Sequence, residues 1–193
     1  LDFFAGSGTT LHATMQLNDE DEGTRQCIIV TNNERNICED ITFERNKRII
    51  EGYVNQKGDK IEGLNTNSLR YYRTSLLSRE RTMPNMRKLV SLATDMLCIK
   101  EDLYREEFTF GKLKLNAQIA RYFNDGKHQM LVIYREEVIR YFVDEIEKMS
   151  FGGKLKVYLF APDRYAFDDD FFGVSDKVQL CALPAAIYDA YQK

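Results

Sequence analysis

The first ten residues, LDFFAGSGTT, bring an aspartate, two glycines and three hydroxyl side chains into one short stretch. Glycines two apart let the backbone come close to a ligand, and a helix that starts just beyond them offers unpaired N–H groups and a partial positive charge. Three kinds of glycine turn fit such a string. A phosphate-cradling loop needs G-x-x-x-x-G-K-[ST], because the lysine must reach the terminal phosphates, and here Gly8 is followed by Thr9 with no lysine near. A dinucleotide fingerprint, G-x-G-x-x-G, needs its third glycine for close packing of helix on strand, and Leu11 occupies that position. What remains is a strand carrying Asp2, a turn at Gly6 and Gly8, and hydroxyls at a helix start, a set suited to a ligand's carboxylate.

A second polar group follows the next apolar run. CIIVTNNE ends in Thr31, Asn32, Asn33 and Glu34. Nucleotide folds deliver a ribose acceptor roughly 20 residues past the glycine turn. Asn32, Asn33 and Glu34 can each accept from a ribose hydroxyl, and their types do not choose among them.

Further on, Arg70, Arg73, Arg79, Arg81, Arg87 and Lys88 face a single acid, Glu80, with Tyr71 and Tyr72 interleaved. This balance suits DNA phosphates, where each neutralised contact releases counterions, and equally a solvated face or one answered by acids elsewhere. DRYAFDDDFF, residues 163–172, has three consecutive aspartates that point in different directions on any regular element, so a loop is expected there and no metal site. Pro162-Asp163 lacks the acid-x-Lys pair that a nuclease centre would need. His12 and His128 have no ligand-spaced partners and read as surface residues.

These groups need elements to hold them. Residues 1–54 read as β-α-β-α: a short strand at Leu1–Phe4, a helix from Thr9 with Leu11, Met15 and Leu17 on its apolar side, a buried strand over CIIVT, and a helix with Ile41, Arg45, Arg48 and Ile49 at helical spacing, stopped by Gly52. Alternating strands and helices imply right-handed crossovers and a parallel sheet. NQKGDKIEGLNTNS, residues 55–68, reads as a linker, and LRYYRTSLL as a connecting strand within a 55–79 boundary region. Residues 80–193 form a second α/β part. It holds a helix with Leu89, Leu92, Ala93, Met96, Leu97 and Leu103 on a stripe, a hairpin turning at Asn124-Asp125-Gly126, a helix carrying Val138, Phe142, Val143 and Ile146, a strand in KLKVYLF, and a last strand and helix. Tyr188 and Tyr191 lie three apart on that last helix, as core or as interface.

Composition limits the partners. With 44% hydrophobic and 30% charged residues the 193-residue chain reads as an ordinary globular protein, and its net charge of −3 confines any nucleic-acid contact to a local patch. No apolar run reaches the roughly 18 residues of a membrane span. Four scattered cysteines, Cys27, Cys38, Cys98 and Cys181, form no C-x-x-C pair and fit a reduced, cytoplasmic setting.

The pattern D-x-F-A-G-S-G-T-T resembles the cofactor motif of DNA amino-methyltransferases, which move a methyl group from S-adenosylmethionine to adenine N6 or cytosine N4. The resemblance implies a Rossmann-like methyltransferase sheet over 1–54, with Asp2, Phe4, Ala5, Gly6, Gly8 and Thr9 around the methionine part of S-adenosylmethionine. It also favours an acidic residue, Glu34, for the ribose. VTNNE, ICEDITFERNKRIIEGY and GLNTNSLRYYRTSLL are similar to the same region of modification (Mod) subunits of type III restriction-modification systems, N6-adenine methyltransferases that recognise the target for a separate helicase-nuclease subunit. KLKVYLFAPDRY and VQLCALPAAIYDAYQ resemble the ends of such subunits.

The resemblance implies DNA as a partner of the intact protein through Arg70, Arg73, Arg79 and Arg81, a homodimer formed through 80–193, and contact with the nuclease subunit. The family's catalytic motif is [DN]-P-P-[YFW], but the three prolines here, Pro84, Pro162 and Pro184, are never adjacent. In the circularly ordered class to which Mod subunits belong, that motif precedes the cofactor motif. The chain is therefore expected to be a C-terminal portion with half a cofactor pocket, no catalytic residue and no activity alone. A non-enzymatic assembly module is the alternative.

Overall fold

The structure is a computed structural model that describes residues 1–78, 80–160 and 167–192, the side chains of Tyr188, Tyr191 and Gln192 excepted. Two compact units, Leu1–Ser75 and Leu76–Lys193, divide the chain.

In the first unit the two expected strands shrink to one parallel bridge between Asp2 and Ile29. Asp2 N–H donates to the Ile28 carbonyl at 2.9 Å, Val30 N–H to the Asp2 carbonyl at 2.8 Å, and Ala5 N–H to the Val30 carbonyl at 3.1 Å. The direction is the parallel one expected, yet the described residues form no Rossmann-like sheet here. CIIVT is also not buried on both sides. Cys27 and Ile29 pack on Leu11, Met15 and Ile49, whereas Ile28 and Val30 are 39% and 42% exposed, since only one face of the pair is covered.

Helix α1 (Thr9–Asp21) buries Leu11 and Met15, one turn apart. Leu17, expected beside them, is exposed because it lies about 200° around the helix from Met15. The next helical segment opens with a π-helical stretch, Ile37–Phe43, before α2 (Glu44–Glu51). That wider turn rotates the inward face. Ile49 is buried as expected, but Thr42 and Asn46 are buried with it, and Ile41 is exposed. Residues 55–68, read as a linker, hold most of an antiparallel hairpin of β1 (Tyr53–Val54) and β2 (Lys60–Ile61). The chain then turns back, Leu64 N–H donating to the Ile49 carbonyl at 2.9 Å. Residues 69–77 form no strand, and the division between units falls within them.

The second unit begins with α3 (Met83–Glu101), capped by Thr82, whose hydroxyl accepts from the Asn85 N–H. Its centre is a five-stranded mixed sheet in the order β3 (Glu106–Glu107), β6 (Ala120–Asn124), β7 (Gln129–Ile133), β8 (Leu155–Leu159), β9 (Val178–Cys181). A small hairpin, β4 (Thr109–Phe110) with β5 (Leu113–Lys114), stands apart from it. β6 and β7 form the expected antiparallel hairpin, and β7, β8 and β9 run parallel, joined from β7 to β8 through α4 (Ile139–Lys148).

Both faces of the sheet are covered, which is why β7 is apolar without a break from Met130 to Ile133. Leu131 and Ile133 face the side of Phe142 and Ile146 on α4; Met130 and Val132 face the side of Ala93, Leu97 and Cys98 on α3. Met96, expected on the α3 stripe, is 55% exposed. α5 (Ala185–Gln192) contributes Ile187 to the α3 side. Among the described residues no helix is long and apolar enough to cross a membrane.

At the end of α3 the Glu101 carboxylate accepts from both Lys156 and the Tyr158 hydroxyl, which also accepts from Lys100 at 2.8 Å. Burial pushes the Tyr158 hydroxyl far above its ordinary pKa, and the Glu101 carboxylate at its oxygen adds to this. For Glu101 burial acts upward, but Lys156, Tyr158 and Lys100 together hold it below the usual carboxylate value. Glu101→Gln is expected to lower stability by about 1–3 kcal/mol, since Lys156 and Tyr158 lose a charged acceptor. Urea unfolding of the full chain checks this, and an unchanged midpoint would show that the network contributes nothing.

Candidate functional site

The parallel bridge places the loop after Asp2–Phe4 and the loop after Ile28–Val30 at the same end of the strand pair. This is where ligands bind in open α/β folds. In the first loop Gly6 and Gly8 have left-handed backbones, φ 50° and 77°. Asp2 braces the loop: one carboxylate oxygen accepts from the Phe4 N–H at 2.9 Å, the other from the Thr10 hydroxyl at 2.7 Å. Those bonds, the Phe4 N–H first, hold Asp2 below the usual carboxylate range. Ala5 is buried, whereas Phe4 is 91% exposed at the mouth of the loop.

The two glycines serve different needs. A Cβ at Gly8 would stand 2.1 Å from the Asn46 amide nitrogen and 3.0 Å from the Thr42 methyl. At Gly6 the nearest atom to a Cβ is the Phe4 carbonyl oxygen, 3.8 Å away. Gly8 is thus demanded by packing, and Gly6 leaves open space on the outer side of the turn.

The second helical segment supports the turn from behind. The Thr42 hydroxyl donates to the Gly6 carbonyl at 2.6 Å. Asn46 is fully buried, donates to the Thr42 carbonyl at 2.7 Å, and has a side-chain oxygen with no partner among the described residues. Arg45 reaches over the turn, one guanidinium nitrogen donating to the Ser7 hydroxyl at 2.8 Å and the Thr9 hydroxyl at 3.0 Å, the other lying 3.3 Å from His12 Nδ1. Burial, reinforced by the Arg45 charge, lowers the His12 pKa, so the neutral ring accepts from Arg45. Helix α1 starts at Gly8 with no side-chain cap and no acid in its first turn. The resulting face offers donors to a ligand: helix N–H groups, hydroxyls already accepting from an arginine, and a cation.

Of the ribose candidates, Asn32 uses its side-chain oxygen to accept from the Glu34 N–H at 3.1 Å. Asn33, at φ 54°, accepts from the Cys38 N–H at 2.9 Å. Glu34 is exposed and its side chain is the one of the three that does not hold the loop's own backbone. Arg35 and Asn36 are also left-handed, φ 52° and 59°, so this loop stores strain beside the glycine turn.

The basic stretch runs across the division between the two units. Arg70 and Arg73 belong to the first unit and Arg81 to the second, while Arg79 lies outside the described residues. Arg73 is paired with Glu39, which also accepts from the Tyr71 hydroxyl at 3.2 Å. Asp168, Asp169 and Asp170 lie in an exposed turn; Pro162 and Asp163 lie outside the described residues.

Sequence reasoning missed Thr42, Asn46 and the contacts of Arg45 and His12. The available signal was a threonine and an asparagine four apart on a helix next to the Ile49 position, but the π-helical stretch shifted the face on which they count.

Over 31 residues, 16% of this chain, the sequence is 68% identical to the Mod subunit of the type III restriction-modification enzyme StyLTI of Salmonella typhimurium. The matched stretch is 5% of that protein's length. No protein-family model and no solved structure matches the chain.

Gly8→Ala is expected to destabilise the full chain by about 2–4 kcal/mol, through left-handed strain and collision with Asn46. Gly6→Ala, strained but unobstructed, should lose only about 1 kcal/mol. Chemical unfolding of the two variants checks the order, and equal losses would contradict the packing role of Gly8.

Proposed function

We propose that this chain is the cofactor-holding and assembly portion of a type III restriction-modification DNA methyltransferase, acting on adenine N6 in the intact protein. The observation that carries the reading is the turn at Gly6–Thr9, open on its outer side and lined with donors. The short identity with a Mod subunit supports it.

The residues fit the methionine part of S-adenosylmethionine by the chemistry of the donor set. Gly6 leaves room for close approach; Ser7, Thr9 and the first N–H groups of α1 face a carboxylate; Asp2 keeps the turn in shape. Phe4 gives an exposed ring at its mouth, and Glu34 is the free acceptor for ribose hydroxyls. Bound there, S-adenosylmethionine supplies a sulfonium-activated methyl group. The chain's own residues bind and orient it, and none of them is placed to activate an adenine, since no [DN]-P-P-[YFW] is present. The chain alone is therefore a binding portion without transferase activity. Arg70, Arg73 and Arg81, all exposed, are its candidates for DNA phosphates, and Arg73 also meets Glu39.

The assembly reading has its own observation. In the second unit Phe108, Tyr141 and Phe172 are 71%, 64% and 80% exposed, apolar side chains that a partner surface would cover. It supports a homodimer, with the nuclease subunit as a further partner.

Calorimetric titration of the full chain with S-adenosylhomocysteine tests the first reading. Saturable binding that Gly6→Ala abolishes while leaving the fold intact is expected. Absence of binding, together with concentration-dependent dimerisation in light scattering, would favour the assembly reading and sink the cofactor one.

A further inference from the structure

We infer that Arg45 is the positioning residue that makes the glycine turn selective for a carboxylate, an inference that rests on the cofactor reading of the turn. The guanidinium has donors only, and one of its nitrogens donates to both the Ser7 and the Thr9 hydroxyl oxygens, at 2.8 and 3.0 Å. The two hydroxyls lie 3.3 Å apart. Each has an oxygen occupied by Arg45, so at most one O–H is used between them and another is left to donate outward. Arg45 thereby takes up one acceptor position on each hydroxyl and biases the pair toward donating outward. A carboxylate finds there a hydroxyl proton, helix N–H groups and a nearby positive charge.

His12 keeps this arrangement in place. Its lowered pKa leaves the ring neutral, and at 3.3 Å from the second guanidinium nitrogen it accepts where a charged ring would repel. Arg45 comes from the helix behind the turn, 36 and 38 positions further along the chain than Thr9 and Ser7. Thr42 and Asn46, on the same helical segment, fix its distance from the turn through the Gly6 carbonyl and the Gly8 backbone. The residue that sets ligand polarity and those that set loop shape therefore move together.

The test compares two ligands that share an adenosine thioether and differ in the amino-acid portion that carries the carboxylate and the ammonium: S-adenosylhomocysteine and 5′-methylthioadenosine. Each is titrated calorimetrically into the full chain, its Arg45→Met and Arg45→Lys variants, and a Ser7→Ala/Thr9→Val double variant that retains the arginine. Arg45→Met is expected to weaken S-adenosylhomocysteine by about 10- to 100-fold, the loss of the hydroxyl donors it aligns and of its nearby charge, with 5′-methylthioadenosine changed by less than about twofold. Arg45→Lys should recover part of the loss, and the double variant should show the same selective loss with Arg45 present.

Parallel weakening of both ligands would make Arg45 a structural brace and overturn the inference, as would no change in either. If Arg45→Met fails to fold, the double variant decides on the same criterion. Failure of the unsubstituted chain to bind either ligand would overturn the cofactor reading itself, and the inference with it; that outcome is visible before any substitution is made.

Discussion

The first unit depends on the close approach of Gly8 to the side chains of Asn46 and Thr42. No Cβ can stand between them, because one built on Gly8 would lie only 2.1 Å from the Asn46 amide nitrogen. Gly8 must therefore be glycine and left-handed, and α1 must start there without a side-chain cap. Thr42 then reaches the Gly6 carbonyl and draws the turn onto the second helical segment. From this contact follow the exposed outer face of the turn, the position of Arg45 above the Ser7 and Thr9 hydroxyls, and the shielding of His12. The unpartnered oxygen of the buried Asn46 is tolerated where close packing of turn on helix outweighs one unmade hydrogen bond.

Much of this was legible in the sequence, and unevenly so. The glycine turn, the helix after it and the parallel direction of the first two runs could be read from residue types, because glycine spacing and β-branched runs act locally. The partner face of the turn could not. A π-helical stretch at Ile37–Phe43 adds a residue to one turn, so a 3.6-residue period selects Ile41 where the fold selects Thr42. The linker reading of 55–68 failed for a related reason. Its asparagines and glycines do make turns, but those turns fold the chain back on Ile49 and Leu64 instead of releasing it. In the second unit the hairpin, α3, α4 and the parallel strands were readable because each carries its own periodicity; β3, β4 and β5, two residues each, are too short to show one.

The two units divide the chemistry of the chain. The first has a strand pair covered on one face only and a donor-rich turn, features that favour binding. The second has a sheet buried on both faces and a Glu101–Lys156–Tyr158 network that closes one end of α3, features that favour a stable platform. Arginine is used in two ways within the first unit: Arg73 pairs with Glu39, while Arg45 is held by hydroxyls and an imidazole at the turn.

The most direct measurement of the central claim is a backbone amide NMR titration of the full chain with S-adenosylhomocysteine. Saturable shifts concentrated at Gly6, Ser7, Gly8 and Thr9, with the Arg45 side-chain N–H moving at the same ligand concentration, are expected. Shifts confined to residues 76–192, or none at the turn at ligand saturation, would contradict a carboxylate site built on Gly8 and Asn46.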